Sequence, residues 1–221
     1  VDYISINKKA WDKWTNIHIA SQFYDVEAFK DGNSSLNTVE LEQVGNVQGK
    51  KLLHLQCHFG QDTLSWARLG ASVTGVDLST EAIKQANKLK SSLGLEATFV
   101  ANDIYQFGNE NTEEFDIVFT SYGVLCWLPD LNLWAKLIAN SLAEGGEFHL
   151  IEFHTFNDLL TGYSYLPSSD PDVEDEGTYT ENCDGTKLKM VTWPHSLSEV
   201  VNALISAGLN IEDFKEYPYS R

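Results

Sequence analysis

The sequence predicts an α/β chain built on a doubly wound, mostly parallel sheet with helices on both faces. Two observations predict it. From Lys51 onward, short apolar segments alternate with helical patterns, and glycines at 60, 70, 94, 145 and 146 punctuate the change from one to the other. Strands buried on both faces read as short apolar runs, and their alternation with helices is the signature of a parallel sheet.

Ahead of that pattern, residues 5–20 carry Trp11, Trp14, Ile17 and His18 at helical spacing, which predicts an amphipathic helix. Asn37 and Glu40 have the spacing of a capping box, so a short helix is expected there before Gly45 and Gly49. Residues 51–55 then form the first strand. Asp62 is expected to cap a helix over 63–69 that Gly70 closes. Residues 72–76 form the second strand and run into Asp77. Ser79 caps a helix whose apolar stripe is Ala82, Ile83, Ala86, Leu89 and Leu93, ended by Gly94. Residues 97–100 and 115–119 are the third and fourth strands. A helix with Leu131, Trp134, Leu137, Ile138 and Leu142 inward follows, and Gly145-Gly146 turns the chain into a fifth strand over 148–153.

Beyond Thr155 the alternation lapses. The acidic run 170–176 is read as a solvated loop, and residues 177–180 are expected to pair with 188–193 as a hairpin around Cys183-Asp184-Gly185. Ser196 and Glu199 make another capping box, opening a helix that Gly208 stops, and residues 209–215 are read as a further strand. One domain is expected over 1–221, with a helical cap (1–48), a core (49–154), an insertion or lid after the fifth strand (155–194) and a final helix and strand (195–221).

Fifteen basic against 32 acidic side chains give a net charge of -17. Such a chain repels a nucleic-acid backbone and an anionic membrane leaflet, so neither is an expected partner. A small-molecule substrate is expected instead, and oligomeric state is not legible. Three scattered cysteines, with no charged-then-apolar leader, fit a reducing cytoplasm. The first residue is Val1, so either end is open to trimming.

In open α/β sheets ligands bind beyond the carboxyl ends of the strands, where strand order reverses. The loop after the first strand, residues 56–61, is therefore the place to seek chemistry. A dinucleotide fingerprint demands glycine at 56, 58 and 61, and all three positions carry long or bulky side chains. Asp77 ends the second strand about 20 residues on, the spacing of a carboxylate that accepts from both ribose hydroxyls of a nucleoside; a plain helix-capping role competes with it. Asp103 and Ile104 follow the third strand, where an acid can hold an adenine amino group while the apolar neighbour covers the ring. A turn-forming Asx pair is the plainer reading.

With these features in order, the chain resembles the class I S-adenosylmethionine-dependent methyltransferases, a Rossmann-like architecture. It looks most like a bacterial group sharing the run from Leu53 to Ala67 (LHLQCHFGQDTLSWA), the segment 115–124, Trp127-Leu128-Pro129-Asp130 and Glu152-Phe153-His154. The resemblance implies S-adenosylmethionine as cofactor and methyl transfer as reaction. It implies cofactor contacts at Gln56, Cys57, His58, Gly60, Asp77, Leu78, Asp103, Ile104 and Ser121. The family's loop has glycine at 56, 58 and 60, of which only Gly60 is present, and its usual first-strand acid is replaced by His54. Side chains are then expected to hold the methionine moiety. The family sheet ends in a strand hairpin whose last strand has no counterpart here, which leaves an edge unless the chain continues.

Tyr122 is expected beside the transferring methyl, and Glu152 and His154 are candidates for acceptor binding or proton removal. His154 competes with a structural role, and His195 is a weaker candidate because Ser196 beside it caps a helix. Tyr24, Trp127, Tyr163, Tyr165, Tyr179 and Trp193 are candidates for a lid of rings or for plain packing of the insertion. No metal is expected at His54, Cys57 and His58, since alternate strand residues face opposite ways. Two alternatives remain open: a non-catalytic or degenerate nucleoside-binding domain, and a nicotinamide-dependent oxidoreductase.

Overall fold

A computed structural model describes residues 2–219. Strands β1 (Lys51–Leu55), β2 (Ser72–Asp77), β3 (Thr98–Ala101), β4 (Phe115–Ser121) and β5 (Leu142–Ile151) form one sheet in the order β3-β2-β1-β4-β5. All four pairings are parallel. The order reverses between β1 and β4, so the switch point lies over the β1 loop. The central strands are apolar on both faces, with Leu52, Leu53, Ile117, Val118 and Phe119 fully buried. Each such side chain contributes roughly 1.5–3 kcal/mol of burial, which is why β1 and β4 sit in the middle.

Helices α1 (Tyr3–Ile19), α2 (Val26–Lys30) and α3 (Thr38–Val44) precede the sheet; α4 (Gln61–Arg68), α5 (Thr80–Leu93), α6 (Ile104–Glu110) and α7 (Leu131–Ser141) are its crossovers. The capping box at Asn37 and Glu40 is present, and Ser79 caps α5 by accepting from Ala82 N–H at 3.0 Å. The α4 boundary differs from expectation. Gly60, not Asp62, stands at its N-cap with φ 81°, and Asp62 lies in the first turn. A Cβ at Gly60 would meet the Phe99 ring at 2.7 Å and Ala86 at 3.0 Å, so only glycine permits this approach of loop to sheet.

β5 also starts earlier than its pattern suggests. Leu142 already pairs with Phe115, after which the register jumps so that Glu147 faces Ile117. Gly145-Gly146 lies in that bulge. A Cβ at Gly146 would stand 2.9 Å from the Phe115 carbonyl oxygen.

Two corrections concern the C-terminal third. The acidic run is not a loop: β6 (Asp172–Glu176) pairs antiparallel with β7 (Leu188–Thr192). Val173 faces Val191 and Asp175 faces Lys189, so cross-strand complementarity offsets the charge of the run. Residues 177–180 thereby lie in the loop that joins β6 to β7, where Thr178 and Tyr179 meet His18 near the C-terminal end of α1. Residues 209–215 form no strand and follow α9 (Leu197–Ser206) as an extended tail. A short helix, α8 (Phe156–Thr161), begins the insertion.

The insertion and α1 are stitched together over the carboxyl ends of the strands. Asn7 donates to the Val191 carbonyl at 2.8 Å and accepts from Val191 N–H at 2.9 Å, out of solvent. Asn182 donates to the Ile17 carbonyl, and Glu181 accepts from the N–H groups of Gln22 and Phe23. No helix among the described residues is long and apolar enough to cross a membrane.

Candidate active site

The β1 loop holds its shape with side chains where glycine would be expected. Gln56 has φ 56°, His58 φ 50° and Gly60 φ 81°, so all three positions adopt the left-handed conformation that suits glycine. For Gln56 and His58 that conformation costs roughly 1–2 kcal/mol each. Local bonds hold it. Cys57 N–H donates to the Val76 carbonyl at 3.0 Å, Gly60 N–H to the Cys57 carbonyl at 3.0 Å, and Gln56 Nε2 to the Val124 carbonyl at 2.9 Å.

His58 N–H donates to Asp77 Oδ2 at 2.8 Å, and Asp77 Oδ1 accepts from Ser79 N–H at 2.8 Å. The loop and the β2 acid thus meet directly at the switch point. Burial pushes the Asp77 carboxyl up to about 6 against the pull of these two donors. Both flank a cleft whose wall also includes Leu78, Asp103, Ile104, Ser121 and Tyr122. The cleft therefore gathers all nine expected cofactor contacts, Gln56, Cys57, His58 and Gly60 among them.

Two polar atoms at the loop are buried with no partner among the described residues, Gln56 Oε1 and His58 Nδ1. A buried, unsatisfied acceptor costs about 1–3 kcal/mol unless a ligand meets it. The other His58 nitrogen, Nε2, lies 2.8 Å from His18 Nδ1, and His18 Nε2 contacts Thr178 Oγ1. Burial pushes His18 down to about 4 and His58 well below the usual range, so both rings are neutral near pH 7. One chain of contacts therefore joins cofactor loop, N-terminal helix and insertion.

Asp103 caps α6 through Oδ1, which accepts from the N–H groups of Tyr105 and Gln106 at 3.0 Å. The capping role and the cleft position thus coexist. Tyr122 follows β4 with φ 48°, its N–H bonded to the Ile151 carbonyl at 2.8 Å.

Glu152 is engaged otherwise than its expected acceptor-binding or proton-removing role requires. Its carboxylate accepts from the N–H groups of Gly123, Val124 (2.9 Å), Leu125 (3.2 Å) and Phe153 (2.7 Å), pinning the β4 loop and the 3-10 turn Leu125–Trp127. His154, exposed at the rim, accepts from Phe156 N–H through Nδ1 at 3.0 Å, so Nε2 carries the proton shared with Glu216 at 2.6 Å. His195 is buried, bonded to Glu199 and the Leu128 carbonyl, each at 2.8 Å.

Of the six rings, Tyr24, Trp127 and Tyr179 line the cleft. Trp193 is buried against Tyr3, with ring centroids 5.1 Å apart, and Tyr163 donates to Glu174 at 2.7 Å. Sequence reasoning missed Trp11, Asp12 and His18 as parts of the site. Trp11 lies 5.3 Å from both the His58 and Trp127 rings, and Asp12 Oδ1 accepts from Ser79 Oγ at 2.7 Å and Glu81 N–H at 3.0 Å. The helical stripe of α1 was the available signal, but nothing in it names what the stripe packs on. Among the described residues no group of three or more His, Cys, Asp or Glu side chains is placed to hold a metal ion.

A family model for the methyltransferase domain matches residues 52–146, which spans β1 to the bulge of β5. The ubiquinone biosynthesis O-methyltransferase of Proteus mirabilis (strain HI4320) is 24% identical over 202 residues, covering 86% of this chain and 78% of that protein. The protein of the same name from Salmonella typhimurium (strain LT2) is 29% identical over 152 residues, 67% of this chain and 60% of that one, so the match spans about three fifths of its length. Among solved structures, an S-adenosylmethionine-dependent methyltransferase from Clostridium acetobutylicum ATCC 824 superposes with a TM-score of 0.65 at 19% identity, covering 92% of this chain and 89% of that one. A DhpI-SAM-HEP complex superposes at 0.63 and 20% identity, covering 93% and 89%. With the matched domain over residues 52–146, the shared fold and the meeting of Asp77 with the β1 loop all in view, the chain carries a methyltransferase domain on the class I S-adenosylmethionine-dependent methyltransferase fold, and the comparisons support methyl transfer from that cofactor.

Proposed function

We propose that this enzyme methylates a small-molecule acceptor bound beneath α1 and the insertion, with the cofactor held across the β1 loop. The observation that carries this reading is the 2.8 Å bond from His58 N–H to Asp77, which brings the ribose-binding acid and the methionine-binding loop to one crevice.

The residues present fit the cofactor. Gln56 Oε1, buried without a partner, is an acceptor suited to the ammonium of a methionine moiety. Asp77 has lone pairs left on both oxygens for ribose hydroxyls, Asp103 has its second oxygen for the adenine amino group, and Leu78 and Ile104 supply apolar cover for the ring. When bound, the cofactor supplies a methyl group on a positively charged sulfur, activated for in-line displacement. The protein's task is then to align the acceptor and exclude water, and orientation of that kind contributes on the order of 7–11 kcal/mol. Ser121 and Tyr122 line the place of transfer. Glu152 acts as a positioning residue by fixing the loop that carries Tyr122 and Trp127. Where the acceptor must lose a proton, Glu216 at the rim, held by the Nε2–H of His154, is the group placed to take it.

The net charge of -17 disfavours nucleic acid as acceptor. A reducing, cytoplasmic setting belongs to the same reading, since Cys57, Cys126 and Cys183 form no disulfide. The test is a screen of small metabolites for S-adenosylhomocysteine release. Turnover with at least one small acceptor, lost in Tyr122→Ala, is expected. Release only with nucleic acid or protein acceptors contradicts the proposal.

A further inference from the structure

We propose that the acceptor is an electrically neutral or cationic organic molecule, and that the cleft excludes acceptors bearing phosphate, sulfate or carboxylate. The inference rests on the reading of the cleft as the methyl-transfer site and names its substrate class.

Recognition of a small anion needs either Arg or Lys side chains or a cluster of backbone N–H groups at a turn or helix N-terminus. The first source is missing. Lys215 is the one Lys or Arg side chain among the described residues lining the cleft, and it is bound to Asp213 at 2.6 Å, while His154 at the rim is bound to Glu216 at 2.6 Å. On the overlying helix, Lys8 is bound to Asp12 at 2.6 Å and Lys13 lies 3.4 Å from Asp184. The buried ring of His58 is neutral, as argued above.

The second source is present but filled by the chain's own carboxylates. The N–H groups of Gly123, Val124 and Leu125 form the anion-binding turn after β4, and Glu152 occupies all three. Asp12 accepts at the N-terminus of α5, and Asp103 does so at that of α6. The N-terminus of α4, which no side chain caps, belongs to the β1 loop and so to the cofactor's side of the cleft.

An entering anion would therefore face Asp77, Asp103, Glu152 and the tail carboxylates, with every Lys or Arg that lines the cleft among the described residues already paired to a carboxylate, in the field of a chain of net charge -17. A cation or neutral molecule meets instead the rings of Trp11, Tyr24, Trp127 and Tyr179, whose negative π-faces favour positive charge.

Two measurements on the full chain saturated with S-adenosylhomocysteine or S-adenosylmethionine test the inference. In the first, inorganic phosphate and acetate are titrated and followed by calorimetry and tryptophan fluorescence. No saturable millimolar binding is expected, and such binding of either anion overturns the proposal whether or not an acceptor is known. In the second, S-adenosylhomocysteine release is compared across one phenolic scaffold carrying an ammonium (tyramine), a hydroxyl (tyrosol) or a carboxylate (4-hydroxyphenylacetate), and across equivalent series on other scaffolds. In every series that turns over, kcat/KM for the anionic member is expected at least tenfold below the other two; equal or faster turnover of the anionic member overturns the inference. Absence of release in every series, with S-adenosylhomocysteine still bound, counts against the small-molecule reading itself, whereas the anion titration decides the charge class alone.

Discussion

The backbone N–H of His58 donates to the carboxylate of Asp77 at 2.8 Å, so the loop after β1 and the acid at the end of β2 are tied directly to each other. On the proposed reading this bond preorganises the cofactor's crevice, which reduces the ordering cost of binding. The cost appears instead in the protein, as left-handed backbone at Gln56 and His58 and a buried carboxyl pushed up to about 6.

Gln56→Gly separates these costs from function. Glycine relieves roughly 1 kcal/mol of backbone strain but removes the bond to the Val124 carbonyl and the acceptor Oε1. Thermal unfolding is expected near the parental Tm, with S-adenosylhomocysteine affinity lowered about five- to tenfold by the lost hydrogen bond. Unchanged affinity in calorimetry removes Gln56 from the binding site.

Glu152→Gln tests positioning against proton removal. An amide presents one acceptor where the carboxylate satisfied four N–H groups, so a loss of roughly 2–3 kcal/mol is expected in chemical denaturation. Turnover falls together with Tm, and the pH profile keeps its shape. A large loss of kcat at unchanged stability, with an altered acid limb, would return Glu152 to a chemical role.

Acid should destabilise the fold through its buried imidazoles. Burial holds His18 down to about 4 and His54 down to about 3, both below the ordinary 6.5. The unfolded chain therefore binds more protons than the folded one below pH 6.5, and the stability present above that pH is lost as pH falls toward 4 and then 3. Each contributes on the order of 2–4 kcal/mol. Asp77 acts in the opposite direction between pH 6 and 3.8, since its raised carboxyl is relieved by protonation. The histidines outweigh it. Tm is expected to drop between pH 7 and 5, and His18→Gln to flatten that drop.

Asn7→Ala tests whether α1 and the insertion move as one unit. Both ladder groups of Val191 lose their buried partner, a cost of about 2–3 kcal/mol. Faster proteolysis confined to the α1 and β7 segments is expected, with the sheet intact. Uniform susceptibility along the chain contradicts the coupling.

Much of the fold was legible because its signals are local. β1 to β4, the Asn37 and Glu40 box and the Ser79 cap each rest on a few neighbouring residues. What escaped depended on partners distant in sequence. The strand character of 172–176 needs Val191 and Lys189 opposite, and β5 begins early because the Gly145-Gly146 bulge lets Leu142 reach Phe115. The site divides the same way. Asp77 was readable from spacing, whereas the filling of the β4 turn by Glu152 and the tie of His58 to His18 bridge 29 and 40 positions. The missing loop glycines read as a departure from the family loop, since residue identity alone does not report backbone conformation. The backbone keeps that conformation at Gln56 and His58 all the same.

The most direct test of the central claim is calorimetric titration of S-adenosylhomocysteine into the parental chain and into Asp77→Ala. Micromolar binding by the parent, weakened at least tenfold in a variant with unchanged circular dichroism, and no binding of a nicotinamide dinucleotide, is the predicted result. Equal affinity in the two folded proteins would contradict the assignment of this crevice to the cofactor.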